Sequence, residues 1–307
     1  MAMDRLVEGF LQDCAIRGMT KRSVESYHSS LKNFTIYIEE RGVSIVEVDK
    51  DALRGYIEYL RLNQGFMMRT IEANFSAISS FYEYLVFEGI VSANPVIPIR
   101  KRYIKRYKNN DDNHTRKLIS VEEMAMVINS TIDIRDKAII TLLTKTGIRR
   151  NELITLDLSD VDFVEQKIRL KPTAKRTNRT VFFDEETAFL LRRWVKIRVG
   201  MNRNDDPALF LNAYGGRLNR NGVYDAVVKA AERVGLHDSK SERLEDHFGP
   251  HCCRHWFTTH LRRAGMPREF IQELRGDARR ETIDIYDHID EKELRESYLA
   301  HIPQLGI

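Results

Sequence analysis

The chain is poor in the features that mark several large protein classes. Its 307 residues include only 3 cysteines, Cys14, Cys252 and Cys253. An odd, sparse set is no disulfide framework, and the adjacent pair lacks the C-x-x-C spacing of common zinc sites. No run approaches the roughly 18 consecutive apolar residues that a membrane-spanning helix requires, and "MAMDRLVEGF" has no signal-peptide apolar region. Internal repeats and low-complexity tracts are also absent. These absences predict a cytoplasmic protein held in a reducing environment, without membrane partners.

What remains is a chain with 42% hydrophobic residues, long enough to bury a core in each of two domains. Net charge is only +4, yet residues 99–108, "IRKRYIKRYK", hold six Lys or Arg and no acid. Interleaved with Tyr103 and Tyr107, the side chains of Arg100, Lys101, Arg102, Lys105 and Arg106 suit contact with a phosphate backbone. A solvated linker is the alternative reading of the same charge run.

Residues 1–96 read as a helical domain. "SYHSSLKNFTIYIEERG" places Tyr27, Leu31, Phe34 and Ile38 at helical spacing and ends at Gly42. "DKDALRGYIEYLRLNQG" and "MRTIEANFSAISSFYEYLVFEG" repeat that pattern, and such stripes are core positions. Prolines in "NPVIPIRKRY" and the polar "KNNDDNH" predict a basic linker over 97–117. A second domain, 118–307, opens with Ser120 and Glu123 at capping-box spacing. It continues through an apolar helix stopped at Gly147, a β-hairpin in "KIRLKPTAKRTNRTVFF", and further helices. The expected fold class is mainly α with a small β-hairpin or sheet.

Three segments carry chemistry. "TGIRRNEL" supplies Arg149 and Arg150, "HCCRHWFTTHLRRAG" supplies His251, Arg254 and His255, and "TIDIYDHI" supplies Tyr286. Taken singly, each has a bland reading: a tyrosine is usually a packing residue, and a lone histidine usually sits satisfied in a core. Taken in this order, with a basic hairpin between the first and second, the series resembles the tyrosine recombinases, the integrase family of DNA strand-transfer enzymes. Arg149 matches the family's first arginine, His251 and Arg254 its H-x-x-R-H motif, and Tyr286, 32 positions after Arg254, its nucleophile. Lys175 best matches the hairpin lysine, with Lys171 a second candidate. Asp277, in "LRGDARR", stands where relatives carry His or Trp. An anion there opposes the chemistry unless it turns away, pairs with Arg275, Arg279 or Arg280, or holds a proton.

The resemblance implies a two-domain DNA clamp, with a helical N-terminal domain and a tyrosine-recombinase catalytic domain. Its implied activity is cutting and rejoining duplex DNA through a 3′-phosphotyrosyl link, in a nucleoid-associated assembly. Phosphoryl transfer loads charge onto non-bridging oxygens, and two guanidinium forks can hold that charge without a metal or other cofactor. Arg150, Arg176 and Arg179 would touch flanking phosphates or simply be solvated. The implied partners are double-stranded DNA, further copies of the chain in a tetramer, and accessory proteins. The tail "EKELRESYLAHIPQLGI" would dock on a neighbouring subunit, or else on its own domain. Two other functions fit parts of the pattern: a catalytically impaired, architectural DNA binder, and a metal-dependent hydrolase using His247, His251, Cys252, Cys253 and His255.

Overall fold

The computed structural model describes residues 2–104, 118–172, 179–241, 243–277 and 289–307. Lys105, Arg106, Lys175, Arg176, Arg279, Arg280 and Tyr286 lie outside the described residues. The chain divides into two compact units, Met1–Asp111 and Asp112–Ile307.

The elements described in the first unit are all helical: α1 (Ala2–Ile16), α2 (Lys21–Glu39), α3 (Lys50–Glu58), which runs on into a π-helical turn Tyr59–Asn63, α4 (Met68–Phe87) and α5 (Val96–Tyr103). Local chemistry sets the helix starts. The Thr20 hydroxyl accepts the Ser23 N–H at 3.3 Å, and the Asp49 carboxylate accepts those of Asp51 and Ala52 at 3.0 and 2.9 Å. Phe34, Ile38, Ile71, Phe75 and Phe81 are fully buried in one cluster, as their helical spacing predicts, and Phe10 of α1 joins them.

Helix α5 departs from the sequence expectation. Residues 97–104 are not linker: Val96, Ile99 and Ile104 are buried in the first unit's core. Pro98 misleads because proline usually breaks a helix, but here it sits in the first turn, where its missing N–H would have had no partner. The Asn94 side chain accepts the Val96 N–H at 2.9 Å and starts the turn.

In the second unit, α6 (Val121–Asn129) begins with the expected capping box of Ser120 and Glu123. Helix α7 (Ile134–Thr146) is buried continuously from Ala138 to Thr146, so it runs through the middle of the unit. It packs against α9 (Glu185–Met201) and α11 (Pro250–Arg263). The anticipated hairpin forms between β2 (Lys167–Leu170) and β3 (Arg179–Phe182), with Ile168 opposite Val181, and β1 (Val161–Asp162) adds a third antiparallel strand. The other described α-helices of this unit are α8 (Arg150–Thr155), α10 (Arg220–Arg233), α12 (Arg268–Arg275) and α13 (Glu291–His301). Among these, no helix is long and apolar enough to cross a membrane.

The tail docks on its own unit. Leu294, Tyr298, Ile302 and Leu305 are buried in the second core, and the Tyr298 hydroxyl donates to the Lys145 carbonyl at 2.9 Å. Lys145, fully buried, binds Asp184 and Glu186 at 2.6 Å each and the Pro303 carbonyl at 2.7 Å. Glu186 in turn accepts the N–H groups of Leu305 and Gly306 at 3.0 and 2.6 Å.

Candidate active site

The site begins where α7 stops. Gly147 ends that helix in the left-handed region, φ 61°, and a Cβ there would lie 2.3 Å from the Phe257 ring. Only glycine fits both demands. The tight turn brings Arg149 to the N-cap of α8, where Glu152 reaches back to accept the Arg149 backbone N–H at 2.6 Å.

Glu152 does more than cap. Its buried carboxylate accepts both Nη groups of Arg179 at 2.9 Å and lies 3.4 Å from Nη1 of Arg149. Burial pushes its pKa up, but the hydrogen bonds from Arg179 and from the Arg149 backbone outweigh burial and hold it below the usual carboxylate range. Sequence reasoning missed Glu152, although an acid three residues after a helix start is itself a capping signal.

Arg179 requires a correction. Read as a surface phosphate contact, it is instead buried, with its fork on Glu152 and its Nε on the Leu274 carbonyl at 3.1 Å. It ties β3 to α8 and to the end of α12. Gly276, at φ 58°, leaves room for this strut, since a Cβ there would lie 2.6 Å from Nη1 of Arg179.

Arg254 projects from α11, its side chain only 4% exposed. Nη1 donates to the Gly147 carbonyl at 2.5 Å and Nη2 to the Arg275 carbonyl at 2.8 Å. Arg149 Nη1 donates to that same Arg275 carbonyl at 3.0 Å. The two guanidinium groups also meet at one carboxylate oxygen: Oδ1 of Asp277 lies 3.1 Å from Arg149 Nη2 and 3.2 Å from Arg254 Nη2. Oδ2 of Asp277 is paired with Arg275 Nε at 2.9 Å. Of the alternatives the sequence leaves open, the aspartate does not turn away: it pairs with Arg275 and with both site arginines at once. Burial, followed by the charges of Arg149 and Arg275, pushes Arg254 down to about 9, which leaves it charged at neutral pH.

His251 stands exposed in the first turn of α11, edge-to-face with His255 at a ring-centroid separation of 4.5 Å. With Arg149, Arg150, Arg220, His247 and Arg254 it borders an open cleft of about 480 Å³, and no carboxylate is among the described residues that line it. Arg150 Nη1 donates to the Arg220 carbonyl at 3.4 Å. No local pattern pointed to Arg220, which joins the cleft from α10.

The cysteines do not assemble with these histidines. Cys253 is fully buried and its thiol is pushed up to about 12 by burial, while Cys252 contacts the backbone of His247 and Gly249. Among the described residues, no three His, Cys, Asp or Glu side chains converge as a metal site would need. Lys171 is held by Asp157 and, at 3.4 Å, by Asp160, which raises its pKa. In the first unit, Arg100 is half-buried with Nη2 on the Ser76 hydroxyl at 3.0 Å, while Lys101 and Arg102 are exposed.

Residues 116–293 match the phage integrase family, and residues 6–89 match the phage integrase N-terminal SAM-like domain. Tyrosine recombinase XerC of Herpetosiphon aurantiacus is 32% identical over 298 residues, covering 94% of this chain and 91% of its own. The chain belongs to the phage integrase family of tyrosine recombinases. The XerC of Haemophilus ducreyi is 33% identical over 243 residues, covering 78% of this chain and 75% of its own. The fold is also that of a lambda integrase dimer bound to a COC′ core site, with TM-score 0.70 and 15% identity over 94% of this chain and 98% of that one. As a tyrosine recombinase, the protein is a site-specific DNA strand-transfer enzyme.

Proposed function

We propose that Arg149, Arg254 and His251 clamp the scissile phosphate of duplex DNA while Tyr286 attacks phosphorus. The tyrosine oxygen, as the phenolate favoured by the neighbouring cations after its proton passes to water, would form a bond to phosphorus as the bond to the 5′-oxygen breaks, leaving a 3′-phosphotyrosyl link. Lys175 gives the departing 5′-oxygen its proton. A second 5′-hydroxyl then reverses the step on a new partner strand, conserving the bond energy. The observation that carries this reading is the convergence of two guanidinium forks on one anionic oxygen, at 3.1 and 3.2 Å. Such donors, fixed before substrate arrives, stabilise developing oxyanion charge without reorganising.

Asp277 stands beside this set as the residue that faces both arginines. The domain assignment follows: residues 1–96, extended by α5, hold DNA, and 118–307 carry out the chemistry. Arg100, Lys101, Arg102, Lys105, Arg106, Arg150 and Arg176 would contact flanking phosphates. Solved relatives include a lambda integrase tetramer bound to a Holliday junction, which supports a tetramer on DNA as the working form of this chain too.

The test is a covalent adduct. The full-length protein is incubated with nicked duplexes carrying sites enriched from a random pool, in excess EDTA, and resolved on a denaturing gel. An adduct is expected for wild type and none for Tyr286→Phe, which removes only the attacking oxygen. An adduct with that variant would overturn the nucleophile assignment, and cleavage restored only by added metal would overturn the clamp.

A further inference from the structure

We infer that Asp277 is a built-in counter-anion, which occupies the position of a phosphate oxygen between Arg149 and Arg254 until DNA displaces it. This rests on the reading of Arg149 and Arg254 as the phosphate clamp. Oδ1 of Asp277 takes one Nη2 donor from each arginine, at 3.1 and 3.2 Å. A non-bridging phosphate oxygen held by both forks would need those same donors, so carboxylate and phosphate compete.

The remaining contacts fit an exchange of anions. When Oδ1 leaves, both forks stay aimed, because Arg149 Nη1 and Arg254 Nη2 remain on the Arg275 carbonyl and Arg254 Nη1 remains on that of Gly147. The aspartate has somewhere to go: Oδ2 is already paired with Arg275 Nε at 2.9 Å. Its backbone is fixed, with the Asp277 N–H on the Gln272 carbonyl at 3.2 Å, so a side-chain rotation is enough. The side chain is 30% exposed, and water can solvate it as it turns.

The consequence is selectivity. Neutralised by Asp277, the clamp attracts stray phosphates weakly, and it gains full charge only where other contacts press a phosphodiester into place. Asp277 is on this account a positioning and specificity residue.

The experiment measures binding of inorganic phosphate, by thermal shift at fixed ionic strength with chloride as the reference salt, to full-length Tyr286→Phe protein. Compared with that background, Asp277→Asn, which keeps the shape and removes the charge, should bind phosphate about 10-fold more tightly and melt lower without phosphate. Asp277→Ala should show the same gain in affinity, and Asp205→Asn, at an exposed position outside the site, should show none. Adding Arg254→Ala to Asp277→Asn should abolish the gain. Phosphate affinity unchanged in both Asp277 variants would overturn the inference while leaving the clamp standing. A gain that survives Arg254→Ala would also overturn it. The clamp fails separately, if Arg254→Ala in the Tyr286 protein forms the DNA adduct at the wild-type rate.

Discussion

Two sets of cations in this recombinase use the same side chains to opposite ends. In the second unit, Arg254 is buried and its guanidinium donates to the Gly147 and Arg275 carbonyls and to the Asp277 carboxylate. In the first unit, Lys101 and Arg102 are exposed on α5. A charge fixed in a partly buried site acts through geometry, because its field is little screened and its donors cannot wander. An exposed charge acts through counterion release, which salt weakens and which reads no particular atom. On the proposed function, the buried set of the second unit serves bond-making and the exposed set of the first unit serves general adhesion to DNA.

The largest expected effect comes from breaking the fixed set. Arg254→Ala strips the Gly147 and Arg275 carbonyls and Asp277 of a shared donor, and it removes one fork of the clamp. Single-turnover cleavage should fall by at least about 10³-fold, and the melting temperature should drop. Next comes Glu152→Ala, which leaves Arg179 buried without its partner and should cost about 3–5 kcal/mol in denaturant unfolding. The pH dependence follows from the depressed pKa of Glu152. Its contribution to stability is complete above the ordinary glutamate value, about 4.3, and is lost as pH falls through its lower folded value. Wild-type stability should therefore decline in that acid window, and Glu152→Gln should flatten the decline.

The smallest effect should come from the exposed set. Neutralising Lys101 and Arg102 together with Lys105 and Arg106 should weaken binding to all DNA sequences alike. Each lost contact should reduce the logarithmic salt slope by about 0.9, with the melting temperature unchanged. An unchanged slope would return the run to a solvated surface. Adding Arg100→Gln should lower the melting temperature slightly, because Arg100 also holds Ser76.

Where contacts are local, the sequence was a good guide. Capping of α6 by Ser120, the stop at Gly147 and the β2–β3 hairpin all follow from residues within a few positions of one another. Arg149, His251 and Arg254 stood out because they sit in short motifs whose order matched a family. Arg179 was misread because its neighbours are basic and polar, while its partners, Glu152 and the Leu274 carbonyl, lie far away in the chain. Helix α5 was misread for a related reason: its prolines and charges are local signals of a linker, but Val96 and Ile99 are claimed by a distant core. The placement of Asp277 between two arginines was equally invisible, since only the fold brings residues 149, 254 and 277 together.

The central claim is that Arg254 works as a fixed fork and not simply as a positive charge. Arg254→Lys tests it directly, since lysine keeps the charge but cannot hold the Gly147 carbonyl, the Arg275 carbonyl and an anion in one plane. The measurement is the single-turnover rate of covalent adduct formation at saturating DNA, with DNA affinity determined in parallel. A fall in rate of about 10²-fold or more, with affinity within a factor of about 3, is the predicted result. A lysine variant that forms the adduct at the wild-type rate would contradict it.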